Sequence, residues 1–245
     1  HLADHVFYQS AFCREAADRF LGPRTGPAEV LYNPVDTVAF APAERRPADG
    51  STVVLLAGSH HSFYRVQTAV DCLKLVRARL PGARLRIAGR FVWRPEERDA
   101  LAELRAYIVT QGMQDHVDLS GAYRPAEAAS LLRGAHILLH TKYNDPCPRL
   151  VVEAMACGVP VVYSATGGVP ELVGDAAGIG VPGPLDFERD HPPAPALLAD
   201  AVVAVAGRLP EFARAARARA VARFDAQPWV ARHAEVFRAL RQDPR

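Results

Sequence analysis

The sequence runs to 245 residues, 49% apolar and 23% charged, with a formal net charge of +2. That balance excludes a disordered tail, a collagen-like fibre and a membrane bundle, and so small a net charge offers no field for nucleic acid. Cys13, Cys72, Cys147 and Cys157 form no C-x-x-C pair, which argues against a zinc ribbon or a disulfide scaffold and fits a reducing compartment.

The first 22 residues read as a strand and a helix: Val6-Phe7-Tyr8 is β-prone, and Phe12, Ala16 and Phe20 recur at helical spacing up to Gly22. A second short run, Glu29 to Tyr32, leads into Asn33-Pro34-Val35-Asp36, and Pro, Ala and charge over 41–50 predict a linker. From Ser51 onward strands and helices alternate. Apolar β-type runs fall at 52–57, 84–88, 117–119, 135–139 and 159–163. Between them lie helical periods: Val66 to Leu80, then Leu101, Leu104 and Ile108, a shorter helix around Leu131 and Leu132, and 148–157 stopped by Gly158. Three tail helices follow at 194–207, 209–224 and 228–242, the middle one carrying Phe212, Ala216, Val221 and Phe224 on one stripe. Strand–helix alternation with nearly continuous apolar strands predicts an α/β fold, a doubly wound, Rossmann-like parallel sheet covered on both faces.

Such a sheet binds its ligand at the carboxyl ends of its strands. The loops concerned are 58–65, 89–95, 120–125, 140–148 and 164–170. Gly58-Ser59-His60-His61 follows the first strand, so neither a dinucleotide G-x-G-x-x-G nor a nucleoside-triphosphate G-x-x-x-x-G-K-[ST] loop is present. His60 and His61 read as ordinary loop residues. Phe91 and Trp93 either flank a base or anchor their loop, and His136 and His140 read as structural. The most informative stretch is 135–171. A strand exits into His140-Thr-Lys-Tyr-Asn-Asp145, and a helix starting near Pro148 turns its free N–H groups to the ligand edge, a ready anion site. Glu153, flanked by Val151, Val152, Ala154 and Met155, is expected to be partly buried and to need partners, which a ribose diol would supply. An acid pair eight residues apart, Asp145 and Glu153, is equally compatible with a helix cap and an internal ion pair.

The run Glu153-Ala-Met-Ala-Cys-Gly-Val-Pro-Val-Val, followed by Gly167-Gly168-Val-Pro-Glu171-Leu-Val-Gly, resembles the donor-binding core of the group 1 (family 4) nucleotide-sugar glycosyltransferases of GT-B architecture, which are mostly retaining. Asp4 to Ser10, Leu31-Tyr-Asn-Pro-Val-Asp36 with Phe40 and Pro42, and Val117-Asp-Leu-Ser-Gly121 resemble further segments of that family. The resemblance implies that residues 1–36 end the acceptor domain and the linker, 37–225 bind the donor, and 226–245 cross back toward the first domain. It implies that Glu153 holds ribose hydroxyls, that Asp145 binds donor-sugar hydroxyls near the reacting carbon, and that amides of Cys147, Arg149 and Leu150 cradle phosphate. Gly58 and Ser59 belong to the phosphate loop.

Several positions depart from the family pattern. Asp145 stands for the usual Glu, Pro146 and Pro148 fall where Gly is frequent and lack an N–H, and Ser59 and Tyr64 replace the expected Arg and Lys. Arg65, with Arg149 as a second candidate, is the expected substitute cation for the diphosphate. With no D-x-D in a suitable loop, neither metal nor other cofactor is expected. A nucleotide-sugar donor and an unidentified acceptor (glycan, lipid or small molecule) are the expected partners.

The alternatives are a nucleotide-sugar epimerase of the same architecture and a non-catalytic nucleotide-binding module. The expected location is cytoplasmic. Residues 208–245 carry nine Arg against four acids, either a compositional bias or a surface for anionic membrane. Beginning at His1 and carrying mainly the donor half, the chain is expected to bind donor without transferring sugar by itself.

Overall fold

The computed structural model describes residues 2–44 and 50–242, so part of the expected 41–50 linker lies outside the described residues. A small unit comes first. β1 (Val6–Tyr8) and β2 (Ala28–Val30) pair in parallel across α1 (Ala11–Leu21), and Ser10 caps α1 by accepting from the Cys13 N–H at 3.0 Å.

The main body is a parallel sheet of six strands: β3 (Thr52–Ala57), β4 (Ala83–Ala88), β5 (Val117–Gly121), β6 (Ile137–His140), β7 (Val161–Ser164) and β8 (Gly178–Val181). Their order is β5-β4-β3-β6-β7-β8, so it reverses between β3 and β6, the switch point at which a doubly wound sheet opens a crevice. The connecting helices are α2 (Phe63–Arg77), α3 (Glu97–Thr110), α4 (Ala128–Arg133), α5 (Arg149–Ala156) and α6 (Val169–Val173). Three tail helices follow: α7 (Pro195–Gly207), α8 (Leu209–Phe224) and α9 (Ala226–Gln242).

Two cores form because side chains alternate across each strand. Val54, Leu56, Leu85, Ile87 and Leu139 face α2, α3 and α7, while Leu55, Leu138, Val161 and Tyr163 face α5, α6 and α8. Burial on both faces explains the unbroken apolar runs that announced the strands.

Three sequence expectations need correction. β8 was not among the expected strands, because Gly178-Ile-Gly-Val mixes glycine into a short run. The glycines are required there: a Cβ on Gly178 would stand 1.9 Å from the Val161 carbonyl oxygen, and one on Gly180 2.8 Å from the Tyr163 ring. On α8 the buried stripe is Phe212, Ala216, Ala220 and Phe224, whereas Val221 is 44% exposed; a spacing of four keeps one face and a step of five leaves it. α9 begins two residues earlier than expected. The small unit covers part of its apolar face: Val236 is buried, and the Phe7 and His233 rings lie 4.3 Å apart, while Val230, Phe237 and Leu240 stay exposed. Among the described residues no helix is long and apolar enough to cross a membrane.

Candidate functional site

The three strands on one side of the switch point end in glycine. Gly58, Gly89 and Gly121 all adopt positive φ, and Gly89 permits no side chain, since a Cβ would lie 1.8 Å from the Gly58 carbonyl oxygen. Gly58 N–H donates to Ala88 O at 3.1 Å and Gly89 N–H to Gly121 O at 2.6 Å, so the strand ends close into a flat floor. Above that floor opens a hollow of about 460 Å³. Its lining includes Gly58 and Ser59 from the first loop, Arg90 and Tyr123 from the next two, Phe40 from the linker, and Arg149 and Glu153 from α5.

The loop after β3 is held by its neighbour. His60 N–H donates to Arg90 O, Val92 N–H donates to His60 O, and the buried His60 ring stacks on Phe91 at 5.4 Å. Burial first, and the Arg65 charge second, push the His60 pKa down to about 3, so the ring is neutral. Phe91 is fully buried and Trp93 packs on the same core, its Nε1 donating to Glu103, so both anchor the loop.

α5 carries the acid expected at a ribose. Pro148 is its N-cap and Arg149 its first residue, one position later than the sequence suggested. Val151, Val152, Ala154 and Met155 are fully buried, which leaves Glu153 on the remaining face, its side chain 15% exposed and turned into the hollow. Its carboxylate accepts no hydrogen bond among the described residues. Arg149 Nη2 stands 3.7 Å away, beyond bonding range. Burial raises the Glu153 pKa, with Arg149 only partly opposing it. Tyr123 stands close enough for the carboxylate to add to the rise that burial gives its phenol. The Leu150 side chain lies 4.0 Å from where a Gly58 Cβ would be.

The other expected site residues lie beside this hollow and not in its lining. Asp145 is buried, with Lys142 Nζ 3.2 Å and His140 Nε2 3.3 Å from its carboxylate, the imidazole being out of line for a hydrogen bond. Burial raises the Asp145 pKa, but the adjacent His140 and Lys142 outweigh it, so the carboxyl stays below the usual range; burial in turn lowers the His140 pKa. Arg65 is 5% exposed. Its Nη1 donates to the Ser59 carbonyl at 2.6 Å, and its Nε meets no acceptor among the described residues. Its guanidinium is thus held by the backbone of the loop after β3, and the arginines that line the hollow among the described residues are Arg149 and Arg90. Cys147 is buried, its carbonyl taken by Asn33 Nδ2 at 2.8 Å and its thiol pushed up to about 11 by burial, so it is no nucleophile. The amides of Cys147, Arg149 and Leu150 donate to no acceptor among the described residues.

Tyr123 and Arg90 were invisible as individuals, although the loops that carry them were named from strand ends. Glu171 has a role that its sequence position hid. Its carboxylate accepts the Ala11 and Phe12 N–H groups at 2.7 and 2.9 Å and the Tyr32 hydroxyl at 3.2 Å, capping α1 from across the molecule.

The family described as glycosyl transferases group 1 matches residues 40–186, more than half of the chain and the whole of the site just described. The chain belongs to the group 1 glycosyltransferases. It is 27% identical to a glycogen synthase of Mycobacterium tuberculosis over 99% of its own length and 56% of that protein's. It is 31% identical to a D-inositol 3-phosphate glycosyltransferase of Mycobacterium bovis over 60% of its length and 31% of that protein's. The chain therefore spans about half, or less, of the curated relatives it matches. Among solved group 1-like folds, HepE of Anabaena in complex with UDP-glucose superposes with a TM-score of 0.77 at 23% identity, over 97% of this chain and 64% of that one. The doubly wound fold expected from the sequence is shared with this structure.

Proposed function

We propose that this chain is the donor-binding half of a transferase that moves a sugar from a nucleoside-diphosphate sugar to an acceptor alcohol, with retention of configuration. Glu153 carries the reading: a largely buried carboxylate with no hydrogen bond among the described residues and only a long ion pair to Arg149, on the lining of a hollow at a parallel-sheet switch point. A largely buried charge without hydrogen bonds is costly, and the two hydroxyls of a ribose would supply them. Tyr123, Phe40 and the glycine floor offer flat surfaces for a base. The diphosphate then reaches the start of α5, where the unpaired amides of Cys147, Arg149 and Leu150 and the Arg149 guanidinium meet it. Arg65 supports this from behind by fixing the Ser59 carbonyl. Beyond the hollow, Asp145, kept ionised by Lys142 and His140, accepts from the donor-sugar hydroxyls.

In the transfer step the bond between the anomeric carbon and the phosphate oxygen breaks, and its electron pair stays on that oxygen. The positive end of α5 and Arg149 stabilise the developing charge. The acceptor oxygen forms the new bond on the same face, and its proton passes to the leaving phosphate. The relative HepE is known in complex with UDP-glucose, which supports a uridine or related donor.

Calorimetry with UDP and with GDP tests the reading. One of them should bind with micromolar affinity, Glu153→Ala should weaken it by roughly 10- to 100-fold, and EDTA should change nothing. If neither nucleotide binds, or if Glu153→Ala binds as the wild type does, the proposal fails.

A further inference from the structure

The loop that bears Asp145 is tied at two points to elements that reach α1. Tyr143 is buried, its hydroxyl donating to Pro184 O at 2.5 Å and accepting from the Asp186 N–H at 2.8 Å. Its own N–H donates to the Tyr64 hydroxyl at 3.1 Å. Asn144 Nδ2 donates to Asp186 O at 2.6 Å, and Asn144 holds φ +48°, a conformation an asparagine tolerates and most side chains do not. Asp186 turns the segment by accepting the N–H groups of Glu188 and Arg189 and pairing with His191 at 2.9 Å. This places Phe187 on α1: it stacks on Phe12 at 5.4 Å, meets Phe20 edge-on at 5.8 Å, and carries the Arg19 guanidinium 5.3 Å above its ring. The second tie is steric. Gly168 lies so close to Pro146 and Ser10 that a Cβ would stand 1.9 Å from the Pro146 carbonyl oxygen and 2.9 Å from the Ser10 Cβ.

We infer that Tyr143, Asn144 and Phe187 are positioning residues for Asp145, linking its loop through segment 183–191 to the seating of α1. The inference rests on the donor-sugar role proposed above for Asp145. A loop of nine residues, five of them polar, has no local reason to place its aromatic ring on a helix of the other unit. Here that ring, the hooks at Tyr143 and Asn144, and the strained asparagine form one connected set. When α1 is seated, the segment is fixed and Asp145 faces the sugar. When α1 moves away, the hooks lose their anchor and the carboxylate loses its geometry. A donor bound while the first unit is out of place would thus be spared wasteful hydrolysis, since a sugar contact displaced by about 1 Å can cost ~100-fold in rate.

Hydrogen exchange on the whole chain tests the link without any ligand. Phe187→Ala and Phe12→Ala should each speed exchange of the 141–147 amides roughly tenfold, the double variant no further, and Phe187→Tyr not at all, while β3 keeps its protection. Should Phe187→Ala fold poorly, Tyr143→Phe removes the two hydroxyl hooks with little change of volume and should give an acceleration in the same direction. In calorimetry these variants should bind UDP within twofold of the wild type and lose whatever affinity UDP-glucose gains over UDP. Faster exchange confined to 183–191, with 141–147 unchanged in both alanine variants, overturns the inference. A wild type that binds neither UDP nor GDP overturns the donor reading instead, and the exchange result still judges the link.

Discussion

Glu153 sets function against stability within one side chain. Burial raises its pKa in the folded chain above the ordinary value near 4.5, so the folded state prefers the protonated form. Between the unfolded and the raised folded value, folding takes up a proton, and stability falls as pH rises through that window. Above it the cost of the buried charge is fully present; below the unfolded value it is absent. Glu153→Gln is therefore expected to raise the thermal midpoint at pH 7, with the gain vanishing below about pH 4. The same substitution should weaken nucleotide binding at least ~10-fold, because an amide offers one acceptor where the carboxylate offers two charged ones. Scanning calorimetry at pH 7 and pH 4 beside a binding isotherm checks both. A variant that is less stable at pH 7, or equally strong in binding, would show that the carboxylate is already satisfied. Wild-type affinity should likewise decline on acidification at a higher pH than an unperturbed glutamate would dictate.

At the scale of elements, α5, α6 and the turn between β7 and α6 form a template for the Asp145 loop. Gly167 has φ +70°, and a Cβ there would lie 2.5 Å from the Asp145 carbonyl oxygen; Gly168 donates its N–H to that same oxygen at 2.9 Å. Gly168→Ala should destabilise the chain by about 1–3 kcal/mol through overpacking against Pro146. It should also weaken UDP-glucose more than UDP, since the loop it displaces carries Asp145 and the hollow stays intact. Equal losses for the two ligands would place Asp145 away from the sugar. The paired glycines and Glu171 were legible as a motif, because their spacing is fixed by close approach of backbones. What the spacing did not reveal is direction. Glu171 reaches away from the site to cap α1, and Arg65 donates to the Ser59 carbonyl, and among the described residues neither α2 nor α6 gives a residue to the hollow's lining. β3, β6 and β7 were readable from apolar runs that both cores demand, whereas β8 was hidden by glycines that give room to Tyr163 and Val161. The ties made by Tyr143 and Phe187 join residues some forty and 175 positions apart, which no local period encodes.

Over the whole molecule, the outgoing linker and the returning tail meet at one crossing. Val35 N–H donates to Phe224 O and Ala226 N–H donates to Val35 O, while Thr37 hydrogen-bonds to Asp225, so linker and tail run side by side between α8 and α9. Much of the tail's arginine is used here. Arg232 pairs with Glu29 on β2, Arg219 donates to the carbonyls of Glu171 and Leu172, and Arg208 pairs with Glu211. Arg217 is central to the crossing. Its Nη1 faces the carbonyls of Thr37, Phe40 and Ala156 at 3.0, 2.9 and 2.8 Å, joining the linker to the C-terminal end of α5. Phe40 lines the hollow above the glycine floor, so this one guanidinium positions a wall of the candidate site as well as a joint of the fold. All three contacts fall on that one nitrogen, Nη1, so removing the donor there leaves the three carbonyls without it. Arg217→Met, which keeps an unbranched stem and removes the donor, is therefore expected to cost about 1–3 kcal/mol and lower the thermal midpoint by roughly 3–10 °C. It should also weaken UDP or GDP by a few-fold through the loosened Phe40. Thermal unfolding and calorimetry on the same variant separate the two effects. A lowered midpoint with unchanged nucleotide affinity would mean that Phe40 keeps its place without the guanidinium, and that the crossing supports the fold alone.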